Sequence, residues 1–320
     1  MGDVTQVSEL YERTRAELAK VIVGQDETVE LLLVAMLCEG HVLVEGVPGT
    51  AKTLMVRALA RILGCRFNRV QFTPDLMPSD IVGTSLFHLG EGVFQFREGP
   101  VFCNFLLGDE INRAPAKTQS ALLQAMEEVQ VTVDGKTYDL PEPFIVVATQ
   151  NPVEQEGTYP LPQAQLDRFM FKVVMGYPTE EEEVRILQDH HAGTGTRELD
   201  RFEMQEVADI AVIRECKAAI RAIHVEEPVL RYVSSLVRAT RSDMKVSLGV
   251  SPRAGLQLLM GAKAEAAIHG RDYLIPDDVK RVVLPTFRHR VELYPGVELE
   301  GMGPDEVLTG VIANVETPRQ

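Results

Sequence analysis

Residues 46 to 53 read Gly46-Val47-Pro48-Gly49-Thr50-Ala51-Lys52-Thr53, just after the apolar run Val42-Leu43-Val44 and just before a segment of helical periodicity. A strand, a glycine-bearing turn, Lys-Thr and an amphipathic helix in that order make a phosphate-binding loop. Backbone N–H groups and a helix N-terminus converge on a polyanion, Lys52 adds a fixed cation, and the Thr53 hydroxyl suits Mg²⁺. Met55, Ala58, Leu59, Ile62 and Leu63 follow at the spacing that buries one helix face against a sheet. The pattern G-x-x-x-x-G-K-[ST] is broken only at Ala51, whose methyl is harmless if that residue already has helical φ/ψ. The competing reading of the same residues is a plain Gly/Pro turn between a strand and a helix.

At 320 residues, 45% of them hydrophobic, the chain has room for two domains and a sizeable core. A formal net charge of -15 argues against a broad nucleic-acid or acidic-membrane surface and favours protein or small-molecule partners. The N-terminus lacks the basic and apolar regions of a signal peptide, and no apolar run approaches a membrane span, so we expect a cytoplasmic protein without stable membrane insertion. Met1-Gly2 resembles a myristoylation start, but Gln6 stands where Ser or Thr is required. Cys38, Cys65, Cys103 and Cys216 are widely spaced and read as reduced thiols. His190-His191 has no partner at metal spacing and reads as a helix end.

Strand-like runs at 41–45, 67–72, 104–107, 144–148 and 169–174 alternate with helical periods, which predicts an α/β fold with a parallel five-stranded sheet. Near Pro178 the pattern changes to helices only, and Thr179 with Glu182 forms a capping box, so the acidic run 180–183 opens a helix. The expected division is 1–176 for the α/β domain and 177–320 for a mostly helical one, with an irregular stretch around Pro295, Gly296, Gly301, Gly303 and Pro304.

Four places could carry chemistry. Phe105-Leu106-Leu107-Gly108 ends in Asp109-Glu110, at the strand edge where α/β sheets bind ligands. Asp109 suits Mg²⁺ and Glu110 the water that attacks a γ-phosphate; a solvated strand end is the bland alternative, and Gly108 suggests a bulge. Strand 144–148 leads to Asn151, which either orients that water or opens a turn with Pro152. Ser251-Pro252-Arg253 starts a long helix and puts a cation in its first turn, against the helix dipole. The compensating anion is either ATP phosphate, which would make the helical domain a nucleotide-sensing lid, or a carboxylate of the protein. Two hairpins, turning at Gly90-Glu91-Gly92 and Asp134-Gly135, either contact a substrate or neighbouring subunit or merely edge the sheet.

Taken together these motifs, with Gly108-Asp109-Glu110-Ile111-Asn112-Arg113-Ala114-Pro115 and the segment 148–162, resemble the MoxR family of AAA+ ATPases, in the group with a helix-2 insert and a hairpin before sensor 1. Ala51 looks normal for that family. The resemblance implies an AAA+ P-loop core with hairpin inserts and a C-terminal helical lid. It implies ATP and Mg²⁺ as cofactors, with Val23, Gly24, Gly46, Val47, Pro48, Gly49, Thr50, Ala51, Lys52, Thr53 and Leu54 at the nucleotide and Thr53 and Asp109 at the metal. Glu110 is then the Walker B base, Asn151 sensor 1, Arg253 sensor 2, and Arg168 the arginine finger reaching a neighbouring subunit's ATP, with Arg113 as the other candidate. The implied assembly is a homo-oligomeric, commonly hexameric, ring, and the implied clients are proteins, often with von Willebrand factor A domains.

Three other functions compete with an ATP-driven remodeller. A magnesium-chelatase-like motor subunit shares the inserts and the chemistry. A nucleic-acid motor lacks a visible basic tracking surface here, and a non-hydrolysing adaptor is disfavoured because Lys52 and Glu110 are both present.

Overall fold

The computed structural model describes residues 3–47, 49–88, 90, 92–151, 158–191, 199 and 202–318. In chain order the strands are β1 (Val42–Gly46), β2 (Phe67–Gln71), β3 (Gly83–His88), β4 (Val93–Glu98), β5 (Phe105–Asp109), β6 (Gln130–Val133), β7 (Lys136–Asp139), β8 (Ile145–Gln150), β9 (Phe171–Met175), β10 (Val246–Leu248) and β11 (Glu292–Leu293). The helices are α1 (Val4–Leu18), α2 (Asp26–Leu37), α3 (Lys52–Ile62), α4 (Pro78–Val82), α5 (Ala116–Glu128), α6 (Gln163–Leu166), α7 (Glu180–His191), α8 (Ile210–Arg221), α9 (Glu227–Ser242), α10 (Pro252–Ile268), α11 (Pro276–Phe287), α12 (Pro295–Leu299) and α13 (Pro304–Ala313).

Five strands form the expected parallel sheet, in the order β2-β5-β8-β1-β9. Central parallel strands are covered on both faces, which is why they read as continuous apolar runs. Alternate side chains serve two cores. Val42, Val44, Phe105, Leu107, Ile145 and Val147 point into one; Leu43, Leu106, Val146 and Ala148 point into the other. No bulge occurs at Gly108, which pairs in register with Val70 and Ala148. A Cβ there would lie 3.2 Å from Phe72, so the residue is small because an aromatic ring lies over it.

Both hairpins form, and neither edges the main sheet. β3 pairs with β4 and β6 with β7 as separate antiparallel ribbons, joined where Phe96 stacks on Tyr138 with ring centroids 4.1 Å apart. Phe94 is 73% exposed.

Capping chemistry fixes many of the helix starts. The Thr179 N–H donates to Glu182 Oε2 at 2.8 Å and the Glu182 N–H to Thr179 Oγ1 at 3.3 Å, closing the predicted box before α7. At α10 the Ala254 N–H donates to Ser251 Oγ at 3.2 Å. The expected irregular C-terminal stretch is instead two helices, α12 and α13, each with proline in its first turn. Proline lacks an N–H that the first turn would leave unbonded anyway, so Pro295 and Pro304 begin helices there. The second region is also not purely helical, since β10 and β11 pair within it.

α10 is the hub of the helical region, packing on α8, α9, α11 and also on α1 and α2. Gly261 lets α10 also lie close to β9: a Cβ there would sit 3.1 Å from Phe171. Among the described residues no helix is long and apolar enough to cross a membrane.

Candidate nucleotide site

A cavity of about 520 Å³ opens at the carboxyl ends of β1, β5 and β8, and the loop after β1 forms its floor. Gly46, Val47, Gly49, Thr50, Ala51, Lys52, Thr53 and Leu54 all line it; Pro48 lies outside the described residues. Thr50 Oγ1 donates to Val47 O at 3.1 Å and Lys52 Nζ donates to Gly46 O, so the loop closes on itself. Gly46 has to be small, because a Cβ would approach Met175 O to 2.7 Å. Gly49 instead needs its freedom of conformation, at φ +88°. Ala51 corrects the sequence expectation. Its φ of 59° and ψ of 20° are left-handed, not helical, so its methyl carries strain that glycine would not. Burial pulls the Lys52 ammonium below its usual pKa, against the opposing charges of Asp109, Glu110 and Glu45.

The acids at the end of β5 sit in a bonded network. Thr149 Oγ1, on β8, donates to Asp109 Oδ1 at 2.6 Å and accepts the Glu110 N–H at 2.9 Å. Arg69, on β2, donates to Asp109 Oδ2 at 2.6 Å and to Gln71 Oε1 at 2.8 Å. Gln71 Nε2 in turn donates to Glu110 Oε2 at 2.7 Å, and Arg113 Nη1 lies 3.2 Å from the same oxygen. Arg113 therefore faces its own chain's Glu110. Glu110 has φ 57°, a left-handed turn that follows the last strand residue. Asn151 lines the cavity beside Thr149 and Gln150, whereas the residues 152–157 of the sequence motif lie outside the described residues.

Away from the loop the lining of the cavity mixes apolar side chains with the polar Lys20 and Gln25. Val23 lines it as expected, along with Val21 and Ile22 before α2, Ile186 and Asp189 on α7, and Phe202. Gly24 does not line it. Gly24 instead has φ +69°, a left-handed conformation that glycine adopts without strain. Sequence reading missed Ile186 and Phe202; for Ile186 the available signal was an apolar residue on an otherwise acidic, exposed helix. The cavity offers groups that suit a nucleoside triphosphate: apolar side chains, a loop of backbone N–H groups with Lys52, and a hydroxyl and carboxylate at Thr53 and Asp109. Two protein oxygens suffice for Mg²⁺, which keeps several of its own waters.

The two remaining arginines are elsewhere. Neither Arg168 nor Arg253 lines the cavity in the separate chain. The anion facing the Arg253 end of α10 is Glu127 on α5, at 3.4 Å, and the same carboxylate lies 2.8 Å from Arg168. Asp167 ties these segments together, accepting from Ser251 Oγ at 2.9 Å and from Arg290 Nε at 2.7 Å.

A parallel sheet in this strand order, with a Lys-Thr phosphate loop after β1 and paired acids after β5, defines a P-loop ATPase fold. Comparison with known families agrees. The profile of the ATPase family associated with various cellular activities (AAA) matches residues 41–171, and an AAA lid domain matches 238–310. The Chaperone MoxR1 of Mycobacterium tuberculosis is 45% identical over 317 residues, covering 96% of this chain and 82% of its own length. The uncharacterized protein YeaC of Bacillus subtilis is 44% identical over 301 residues, covering 94% and 92%. The crystal structure of a candidate ATPase from Cytophaga hutchinsonii superposes with a TM-score of 0.89 at 38% identity, covering 98% of each chain. More distant matches include the magnesium-chelatase 38 kDa subunit of Acidiphilium rubrum, at 27%. The chain belongs to the MoxR group of AAA ATPases.

Proposed function

We propose that this chain is a cytoplasmic Mg²⁺-dependent ATPase that assembles head to tail into a ring, commonly a hexamer in this family, and uses ATP hydrolysis to remodel or mature partner proteins. The observation that carries this reading is the division of the ATPase residues between two places. Lys52, Thr53, Asp109, Glu110 and Asn151 share one cavity, while Arg168 and Arg253 lie together outside it. An ATPase whose arginines lie apart from its phosphate loop is complete only when a neighbour supplies them. We also propose the division into an α/β unit, 1–176, and a helical unit, 177–320, supported by the separate family matches within each.

Within the cavity Lys52 meets the β- and γ-phosphates, and Glu110 takes the proton of the attacking water, which Asn151 orients. Gln71 and Arg113 hold the Glu110 carboxylate in place, and Thr149 sets both acids relative to β8. Mg²⁺, held by Thr53 and Asp109, would neutralise charge on the phosphate oxygens. Arg168 and Arg253 of the next subunit face the charge that develops on the γ-phosphate, an effect worth ~10³ to 10⁵ in rate for a trans arginine.

Mixing variants tests the shared site. Lys52→Ala and Arg168→Ala are each expected to be inactive, and a mixture of the two is expected to recover activity where an intact Lys52 site meets an intact Arg168. If subunit exchange is confirmed by mass spectrometry and the mixture stays inactive, the site lies within one chain. Clients, for which proteins with von Willebrand factor A domains are our candidates, should be retained by an ATP-loaded Glu110→Gln variant that binds but does not hydrolyse. A magnesium-chelatase-like role is the second reading, favoured by the two hairpins and the more distant chelatase matches, and a tetrapyrrole-handling protein in that retained fraction would select it. We propose no nucleic-acid partner, given a net charge of -15.

A further inference from the structure

Glu127 is the common acceptor of two arginines that arrive from distant parts of the chain. Arg168 Nη2 lies 2.8 Å and Arg253 Nη1 3.4 Å from its carboxylate, and Arg168 Nη1 also donates to Leu123 O at 2.7 Å. The three side chains are 45%, 28% and 43% exposed, so another molecule can reach each of them. Glu127 is also on the last turn of α5, where the helix dipole disfavours an anion, and no basic residue shares that turn. Its position is thus explained by the arginines and not by its own helix. One carboxylate between two guanidinium groups leaves this face short of one negative charge, which a phosphate would supply. Carboxylate and phosphate oxygens offer a guanidinium the same kind of paired acceptor.

We propose that Glu127 is a displaceable counter-ion, holding Arg168 and Arg253 in the separate subunit at the place that the neighbouring subunit's ATP phosphate takes on assembly. This rests on the shared-site reading above. Glu127 is a positioning residue: it keeps both arginines together on one face, and it competes with the phosphate for them. Its removal has an unusual sign. A merely structural ion pair, once lost, weakens assembly, whereas a competing counter-ion, once lost, strengthens it.

The test follows ATP hydrolysis by the full chain against subunit concentration and against ATP concentration. Glu127→Gln is expected to reach half-maximal activity at about threefold to tenfold lower subunit concentration, the scale of one or two exposed ion pairs. Glu127→Ser should shift in the same direction, which guards against a defect particular to the amide. Glu127→Asp, which keeps the charge, should stay within about twofold of the native protein. Glu128→Gln, whose carboxylate bonds Gln124 instead, should not shift. An unchanged or higher threshold for both Glu127→Gln and Glu127→Ser overturns the counter-ion, and with Arg168→Ala inactive it leaves the shared site standing. A fully active Arg168→Ala overturns both.

Discussion

Thr149 joins the two acids after β5, because a single hydroxyl donates to Asp109 and accepts the Glu110 N–H. Thr149→Val keeps the shape and removes both bonds. Losing a buried hydrogen bond leaves its partner unsatisfied at ~1 to 3 kcal/mol, so we expect kcat to fall by about 5- to 150-fold with ATP affinity little changed. Steady-state phosphate release beside calorimetric ATP binding checks this, and an unchanged kcat would remove Thr149 from the site. Ala51 carries the opposite prediction. Its left-handed backbone makes Ala51→Gly stabilising by up to about 1 kcal/mol, read from urea unfolding. Lys52, Thr53, Asp109 and Glu110 were legible in the sequence because each lies in one short motif. Arg69 and Gln71 were not, since they reach the acids across the β2-β5 register, which no local pattern records.

Elements were legible where one period dominated, as in the five sheet strands, and illegible where a residue type had two uses. Prolines near the C-terminus read as breaks but start α12 and α13. The helix α10 was legible down to its Ser251 cap, but not the side on which it docks, because Gly261 against Phe171 is a contact between surfaces far apart in sequence. The same helix carries a pH dependence. Glu265 is buried between α10 and its neighbours, 3.1 Å from Arg281 on α11. Burial, with the charge of Glu30 on α2, raises its pKa from 4.5 to about 7, despite Arg281. A carboxyl with a raised folded-state pKa stabilises fully below the unfolded value and loses that contribution as pH rises through the folded one. Stability attributable to Glu265 should thus fall between about pH 4.5 and 7. Glu265→Gln should flatten that decline, measured by urea midpoints across the range, and an identical decline in the variant would exclude Glu265 as its source.

At the scale of the whole molecule, the α/β core and helical region are joined through buried polar contacts as well as apolar packing. The buried Arg290 guanidinium donates to Asp167 Oδ1 at 2.7 Å and to Met170 O at 3.1 Å, from a segment more than a hundred residues further along the chain. Removing one partner of such a buried pair typically costs ~3 to 5 kcal/mol, and the partial exposure of Asp167 places Arg290→Met toward the lower end, about 3 kcal/mol by denaturant unfolding. A loss under about 1 kcal/mol would mean that the Arg290–Asp167 pair contributes little to holding the two regions together. The four free cysteines give a way to watch the regions separate. Cys103 and Cys216 are buried and Cys38 and Cys65 half-buried. Burial lifts the Cys38 and Cys103 thiols to about 12 and the Cys65 and Cys216 thiols to about 11. Burial therefore favours the neutral thiols near neutral pH, which slows alkylation of the closed protein. Cys38, whose Sγ donates to Met260 O on α10, lies where α2 meets the helical region. The rate at which iodoacetamide marks Cys38 is then a clock for how often α10 lifts from the core, readable in the native protein without an introduced label.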